Sequence, residues 1–426
     1  MRKETERPDY GYRKRGLSKE PTSNRNISRE KEELRDYDSA LAKACRCLSS
    51  LQPMFDREQA DAQNLVTELL MHPFERQKLI IRNNSRFHTW GVYARLLDRS
   101  RALGVQSPAD AHHLARLALL VADRLDTSLY QAESIEDLRA RAWTYIGNTR
   151  RRRSNLTGAA TAFRKAEIYL ERGTGDPVEL AMLLDLKASL LRAQRQFPRA
   201  MSLLKRSYTI FLAAGDRHRA GRALVSMEII HNYAGSPEQG IPLLYEALDL
   251  IDPQQEPRLL LCIWHNLVSG LAEAGRSMEA HRLFLKARAL YPRFPEAVTQ
   301  NRRIWMAGKI AYGLGQEKEA ETLYLTARQS FLSEDIPYEV ALVSLDLAAL
   351  YANQGRTEEM KRLAAEMMPV FSSLQIHREA LAALTFWKQA VEAETSHERI
   401  SKLVAGVAAF LKRSRYDPEL RFVAPV

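Results

Sequence analysis

Small or apolar residues recur along this chain at a fixed step: Ala159, Ala200, Gly240, Ala280, Ala320, Met360 and Ile400, one step of 41 and then five of 40. Four residues after each of the first five comes a bulky side chain: Phe163, Leu204, Leu244, Phe284 and Tyr324. Three further on the residue is small again: Ala166, Ser207, Ala247, Ala287 and Ala327. Spacings of four and three place all of these on one face of an α-helix. Gly235, Gly275, Gly315 and Gly355 form a second series in phase with the first. Glycine adopts the left-handed conformation that ends helices at little steric cost. The two series together predict a helix ending at each glycine, a short turn and a second helix. Ser236, Ser277 and Thr357 are expected to cap those second helices, with Pro237 at a first helical position.

Capping signals extend the pattern. Ser134-x-x-Asp137 predicts the start of the first clear unit, and units then run near 136–174, 177–214, 216–253, 257–294, 297–334, 337–374 and 376–414. Residues 134–414 thus read as one repeat array. Residues 34–133 are helical without a clean register. Within them Ser107-Pro108-x-Asp110 opens a helix over 111–125, whose Ala111, Ala115 and Ala118 repeat the spacing of the second helices. This region is expected to be a degenerate leading repeat that caps the stack, and it has no turn signature for a helix-turn-helix between 60 and 100. Residues 1–33, with the basic run Arg13–Arg15 around Lys14, read as a disordered charged arm, and 415–426 as a short tail.

The units resemble the tetratricopeptide repeat, whose pattern is W-x2-L-G-x2-Y, then A-x3-F, then P. The matching residues are Trp143-x2-Ile146-Gly147 with Ala159-x3-Phe163-x2-Ala166, then Trp264-x2-Leu267 with Ala280-x3-Phe284-x2-Ala287 and Pro292, and Gly308 with Ala320-x3-Tyr324-x2-Ala327. The period of 40 is longer than the family's, about 34 residues, and the first-helix tyrosine survives only as Tyr351. The resemblance implies an all-α fold, a right-handed α-solenoid of about seven helix pairs preceded by the N-terminal helical region. It also implies that first helices line a concave groove that binds a protein segment. Carrying over the groove positions gives Arg141, Thr144, Asn148, Arg151 and Arg152, then Asp185, Ser189 and Arg192, then Arg222 and Asn232. His265, Ser269 and Glu273 follow, then Arg302, Trp305, Lys309 and Tyr312. Arg141, Arg222 and Arg302 recur in alternate units, so on a solenoid they form a line.

Composition narrows the function further. The 426 residues exceed one ordinary core, which a stacked array resolves, and 45% hydrophobic residues suit a folded soluble protein. No apolar run approaches the roughly 20 residues of a membrane helix, and the N-terminus lacks a signal-peptide core, so the chain reads as cytoplasmic. Cys45, Cys47 and Cys262 are too few and badly spaced for a metal site. The net charge of +11 suggests an acidic partner or nucleic acid.

Catalytic and phosphate-binding motifs fail inspection. Gly173-Thr-Gly175-Asp176-Pro177 lacks the P-loop lysine and strand, and Asp176 as a cap with Pro177 as first helical residue accounts for it. His112 and His113 point about 100° apart on a helix, so they cannot share a metal. The run Arg150–Arg153 suits a helix C-terminus, or an anion contact on the groove face. The leading reading is a cofactor-free, non-catalytic scaffold or regulatory adaptor that binds an acidic peptide or partner segment in a basic groove. The alternative is a tetratricopeptide regulator whose basic N-terminal region touches nucleic acid.

Overall fold

A computed structural model describes residues 52–373 apart from Val105 and Gly235, together with Trp387, 397–414 and 422–423. Among the described residues all regular structure is helical. Residues 52–70 form α1, followed by α2 (Phe74–Asn83), α3 (Trp90–Leu103) and α4 (Pro108–Ala122). Then come the pairs α5 (Ala132–Arg152) and α6 (Leu156–Leu170), α7 (Pro177–Ala193) and α8 (Phe197–Ala213), α9 (Arg217–Tyr233) and α10 (Ile241–Leu250). The array continues with α11 (Pro257–Glu273) and α12 (Ser277–Ala287), α13 (Ala297–Gly313) and α14 (Glu317–Ser333), α15 (Pro337–Asn353) and α16 (Thr357–Ser373), and ends on α17 (His397–Ser414). The chain is an α-solenoid of stacked helix pairs, as the periodicity requires. The first helix expected for the seventh unit, the N-terminal arm and most of the C-terminal tail lie outside the described residues.

The core follows the repeat series. Ala159, Ala200, Ala280, Ala320 and Met360 are fully buried, and so are Phe163, Leu204, Leu244 and Tyr324 within about one per cent. Each small residue lets a first and second helix approach, and the bulky one fills the space above it. The third pair departs from this scheme. Glu228 stands on α9 where other units place Gly147, Ala188, Gly308 or Ala348, and its carboxylate arm fits because Gly240 faces it: a Cβ on Gly240 would lie 2.8 Å from Glu228 Cγ. The short 3-10 turn Pro237–Gly240 before α10 belongs to the same departure. Ahead of the array, α3 and α4 pack together and α4 packs on α5; the buried Tyr93 hydroxyl donates to the Leu138 carbonyl at 2.6 Å.

One turn geometry links first to second helices. Ser154, Arg195, Gly275, Gly315 and Gly355 share one register position and all have positive φ, from 59° to 77°. At each, the following N–H bonds the carbonyl five residues back, from Asn155 to Arg150 at 3.0 Å and from Gln196 to Leu191 at 2.8 Å, and so on to Arg356. These bonds satisfy carbonyls that a helix end otherwise leaves unpaired.

The turn corrects three capping expectations. Arg276 is the N-cap of α12, so Ser277 is already helical and buries its hydroxyl where a Cβ on Gly313 would sit 1.9 Å away. Thr357 is likewise the first residue of α16, and Ser236 makes no side-chain cap bond. Ser134 is also not a cap. α5 starts two residues earlier after Gln131, and Asp137 instead accepts the N–H and hydroxyl of Thr174 at 3.1 and 2.6 Å. The expected caps at Ser107 and Asp176 are present, with Pro108 and Pro177 opening their helices.

Candidate partner-binding face

The first helices α5, α7, α9, α11, α13 and α15 carry every side chain assigned above to the groove. Direct contacts join α5 to α7, α7 to α9, α11 to α13 and α13 to α15, so these helices form one layer. The second helices wedge behind it, α6, α8, α10, α12 and α14 each touching the next first helix as well as its own partner. The sequence-assigned residues therefore lie on one layer, but their charges are used differently along it.

Arg141, Arg222 and Arg302 are matched within the chain. Each reaches a carboxylate at the start of the next first helix. Arg141 Nε lies 3.0 Å from Glu179 Oε2, with a second contact to Oε1. Arg302 meets Glu339 at 2.7 Å, and Arg222 pairs with Glu256. Glu179 and Glu339 are almost fully buried. These pairs staple neighbouring repeats together, and their positive charge is already answered. The sequence assignment overlooked the acids. Pro177-x-Glu179 and Pro337-x-Glu339 stand four repeats apart in the same place, which is the signal that pointed to them.

A second basic group gathers at the ends of α5 and α7. The run Arg150–Arg153 divides around the α5 terminus. Arg150 donates to the Gly158 carbonyl at 3.0 Å and, with Arg153 and Arg116, faces His112. Burial and these cations hold His112 neutral, down to about 4, with Nδ1 3.0 Å from the Thr149 hydroxyl. Arg151 and Arg152 turn to the other side. Arg151 donates to Asn148 Oδ1 at 2.8 and 3.2 Å. Burial, then the Arg152 and Arg192 charges, pull Arg151 down to about 10. Burial and the fields of Arg192 and Arg222 lower Arg152 too. Arg192 lies over the Tyr233 ring at 5.7 Å. The carboxylate in their midst is Asp185, raised by burial and held back by Arg222, Arg192 and Arg151.

Farther along, charge is balanced around aromatic rings. Lys309 Nζ lies 3.0 Å from Glu273 and 3.8 Å from Asp346. Burial pulls its pKa down, but the two carboxylates outweigh this and hold it above the ordinary value. Lys309 also sits 4.8 Å from the Trp305 ring centre, and Trp305 Nε1 donates to Asp346 at 2.7 Å. Asn353 donates to the Tyr312 hydroxyl. His265 contacts the Tyr291 hydroxyl at 3.2 Å and is pushed down to about 4 by burial, then by Arg302 and Lys309. The sixth unit thus brings Asp346 and Asn353 to the face. Asn232 and Asn266 donate to Glu228, whose burial pushes it up to about 7. Cys262 occupies the register position of Arg222 and Arg302, its thiol pushed up by burial. Cys45, Cys47 and Lys14 lie outside the described residues.

Among the described residues there is no group of three or more side chains fit to hold a metal ion, and no helix long and apolar enough to cross a membrane. No family model and no curated protein matches the chain. Solved structures share the fold. A Rap protein in complex with competence and sporulation factor aligns over 77% of this chain and 94% of its own, with a TM-score of 0.51 and 12% identity. Aspartyl phosphate phosphatase F from Bacillus subtilis aligns over 85% and 97%, with a TM-score of 0.51 and 13% identity.

Proposed function

Taking the chain as a tetratricopeptide-like α-solenoid, we propose that it is a non-catalytic interaction protein that holds an acidic segment of a partner protein against the first helices of its leading repeats. The observation that carries this is a group of three arginines, Arg151 bonded to Asn148, Arg192 over the Tyr233 ring and Arg222 on Glu256, whose charges all act on Asp185. Positive charge is in surplus there, with Arg151 and Arg192 half-buried and Arg152 and Arg222 exposed. A carboxylate arriving in that setting gains charge-assisted, two-pronged bonds from guanidinium groups and relieves their mutual repulsion. Asn148, which accepts from Arg151, adds an amide beside it. A Rap protein of like fold has been solved in complex with competence and sporulation factor, which supports a binding role for such a fold.

The reading is tested by fluorescence anisotropy with labelled acidic peptides and their amide-neutralised versions. Acidic peptides are expected to bind and the neutralised ones to lose affinity. Arg151→Glu with Arg192→Glu is expected to weaken binding at least about tenfold, a loss of about 1.4 kcal/mol. Binding that is indifferent to this double variant overturns the proposal. Tighter binding to random duplex DNA, with a steep fall in salt, supports the nucleic-acid alternative instead.

A further inference from the structure

The two halves of the layer offer different chemistry. On α5, α7 and α9 the face presents Arg151 bonded to Asn148, Arg192 over the Tyr233 ring at 5.7 Å and Arg222 on Glu256, so that with Arg152 the arginines outnumber Asp185 and Glu256. On α11, α13 and α15 the cations are answered: Arg302 by Glu339, and Lys309 by Glu273 and Asp346. Beside those balanced charges lie the Trp305 and Tyr312 rings. Trp305 is half-buried, packed edge-on to Phe331 at 6.2 Å, and Tyr312 stands about two turns farther along the same helix. A carboxylate placed there meets Glu273 and Asp346, while an apolar group there covers Trp305 and Tyr312.

Resting on the function proposed above, we infer that the partner segment is acidic at one end and aromatic or aliphatic at the other. We infer also that it docks in one direction, its acidic end on α5–α9 and its apolar end on α13–α15. The reverse orientation sets acids against Glu273 and Asp346 and dries the arginines with apolar side chains, so it is disfavoured at both ends. The two stations are three repeats apart, on the order of 30 Å at about 10 Å per helix-to-helix step. An extended segment covers that in roughly nine residues.

Synthetic peptides carrying a short acidic block and a Leu-Phe pair, joined by Gly-Ser spacers of about two, six or ten residues, test this directly on the full chain. The longer spacers are expected to bind at least about tenfold tighter than the acidic block alone, and the shortest to gain nothing. A benzophenone beside the Leu-Phe pair is expected to crosslink to α13 or α15, and one beside the acidic block to α5, α7 or α9. Equal affinity at every spacer length, or crosslinks reversed or scattered, overturns the inference. If the acidic block alone still binds through Arg151 and Arg192, the proposed function survives that failure. If no peptide of the series binds, both fall.

Discussion

Ser154 holds a left-handed conformation that glycine holds in the later repeats, with φ of 59°. An L-residue in that region is strained by about 1–2 kcal/mol. Ser154→Gly removes this strain and adds some unfolded-state entropy, so a net gain of about 0.5–1 kcal/mol is expected in urea unfolding. Glu228 is a second residue whose setting has a measurable consequence. Burial raises its pKa from 4.5 to about 7. Between those values the folded chain binds more protons than the unfolded one. The stability Glu228 contributes is therefore present below about 4.5 and lost as the pH rises through about 7. Glu228→Gln is expected to flatten that decline, on the order of 3 kcal/mol, when melts at pH 5 and pH 8 are compared. An unchanged slope would mean that Glu228 is ionised throughout.

At the scale of helices, the arginine staples decide how repeats hold one another. Arg141 is half-exposed while Glu179, its partner on α7, is almost fully buried. Removing only the cation leaves a buried carboxylate without its strongest partner. Arg141→Met is expected to destabilise by about 1–3 kcal/mol in chemical denaturation, and Arg141→Met with Glu179→Leu to recover most of that loss. A double variant as weak as the single one would show that the pair does not act as a unit. The same geometry separates these arginines from Arg151 and Arg192, whose replacement is expected to change binding and leave the melt nearly unmoved.

Across the whole molecule, each repeat touches its neighbours and little else. Phe163 is fully buried beneath α5 and α7, in a cluster with Leu183 and Leu190. Phe163→Ala is expected to cost about 3–5 kcal/mol. Because a solenoid is stabilised by intrinsic and nearest-neighbour terms, the loss should stay local. Hydrogen exchange is expected to show lost protection in α5–α8 with α13–α15 nearly unchanged. Uniform loss along the chain would indicate a single cooperative core.

Repetition explains what was legible in the sequence and what was not. A step of 40 with small, large and small residues at fixed offsets specifies helices, their pairing and their buried faces, because those depend on spacing along one chain and on burial alone. It located Ala159, Phe163, Tyr324 and the glycine turns, and it assigned the candidate binding residues to one layer. It also showed Ser154 and Arg195 no differently from any other polar residue, since only the backbone angle marks them as members of the glycine series. The recurrence of Pro177-x-Glu179 and Pro337-x-Glu339 marked two acids as alike, but which arginine each one faces was beyond its reach. Glu179 lies 38 positions from Arg141, and Asp346 lies 41 from Trp305, in helices that meet only after stacking. Electrostatic pairing depends on distances between repeats, and those are set by tertiary packing. The sequence by itself thus determined the solenoid and the composition of its layer of first helices, whereas the tertiary structure decided which arginines are tied to carboxylates of neighbouring repeats and which gather at the ends of α5 and α7.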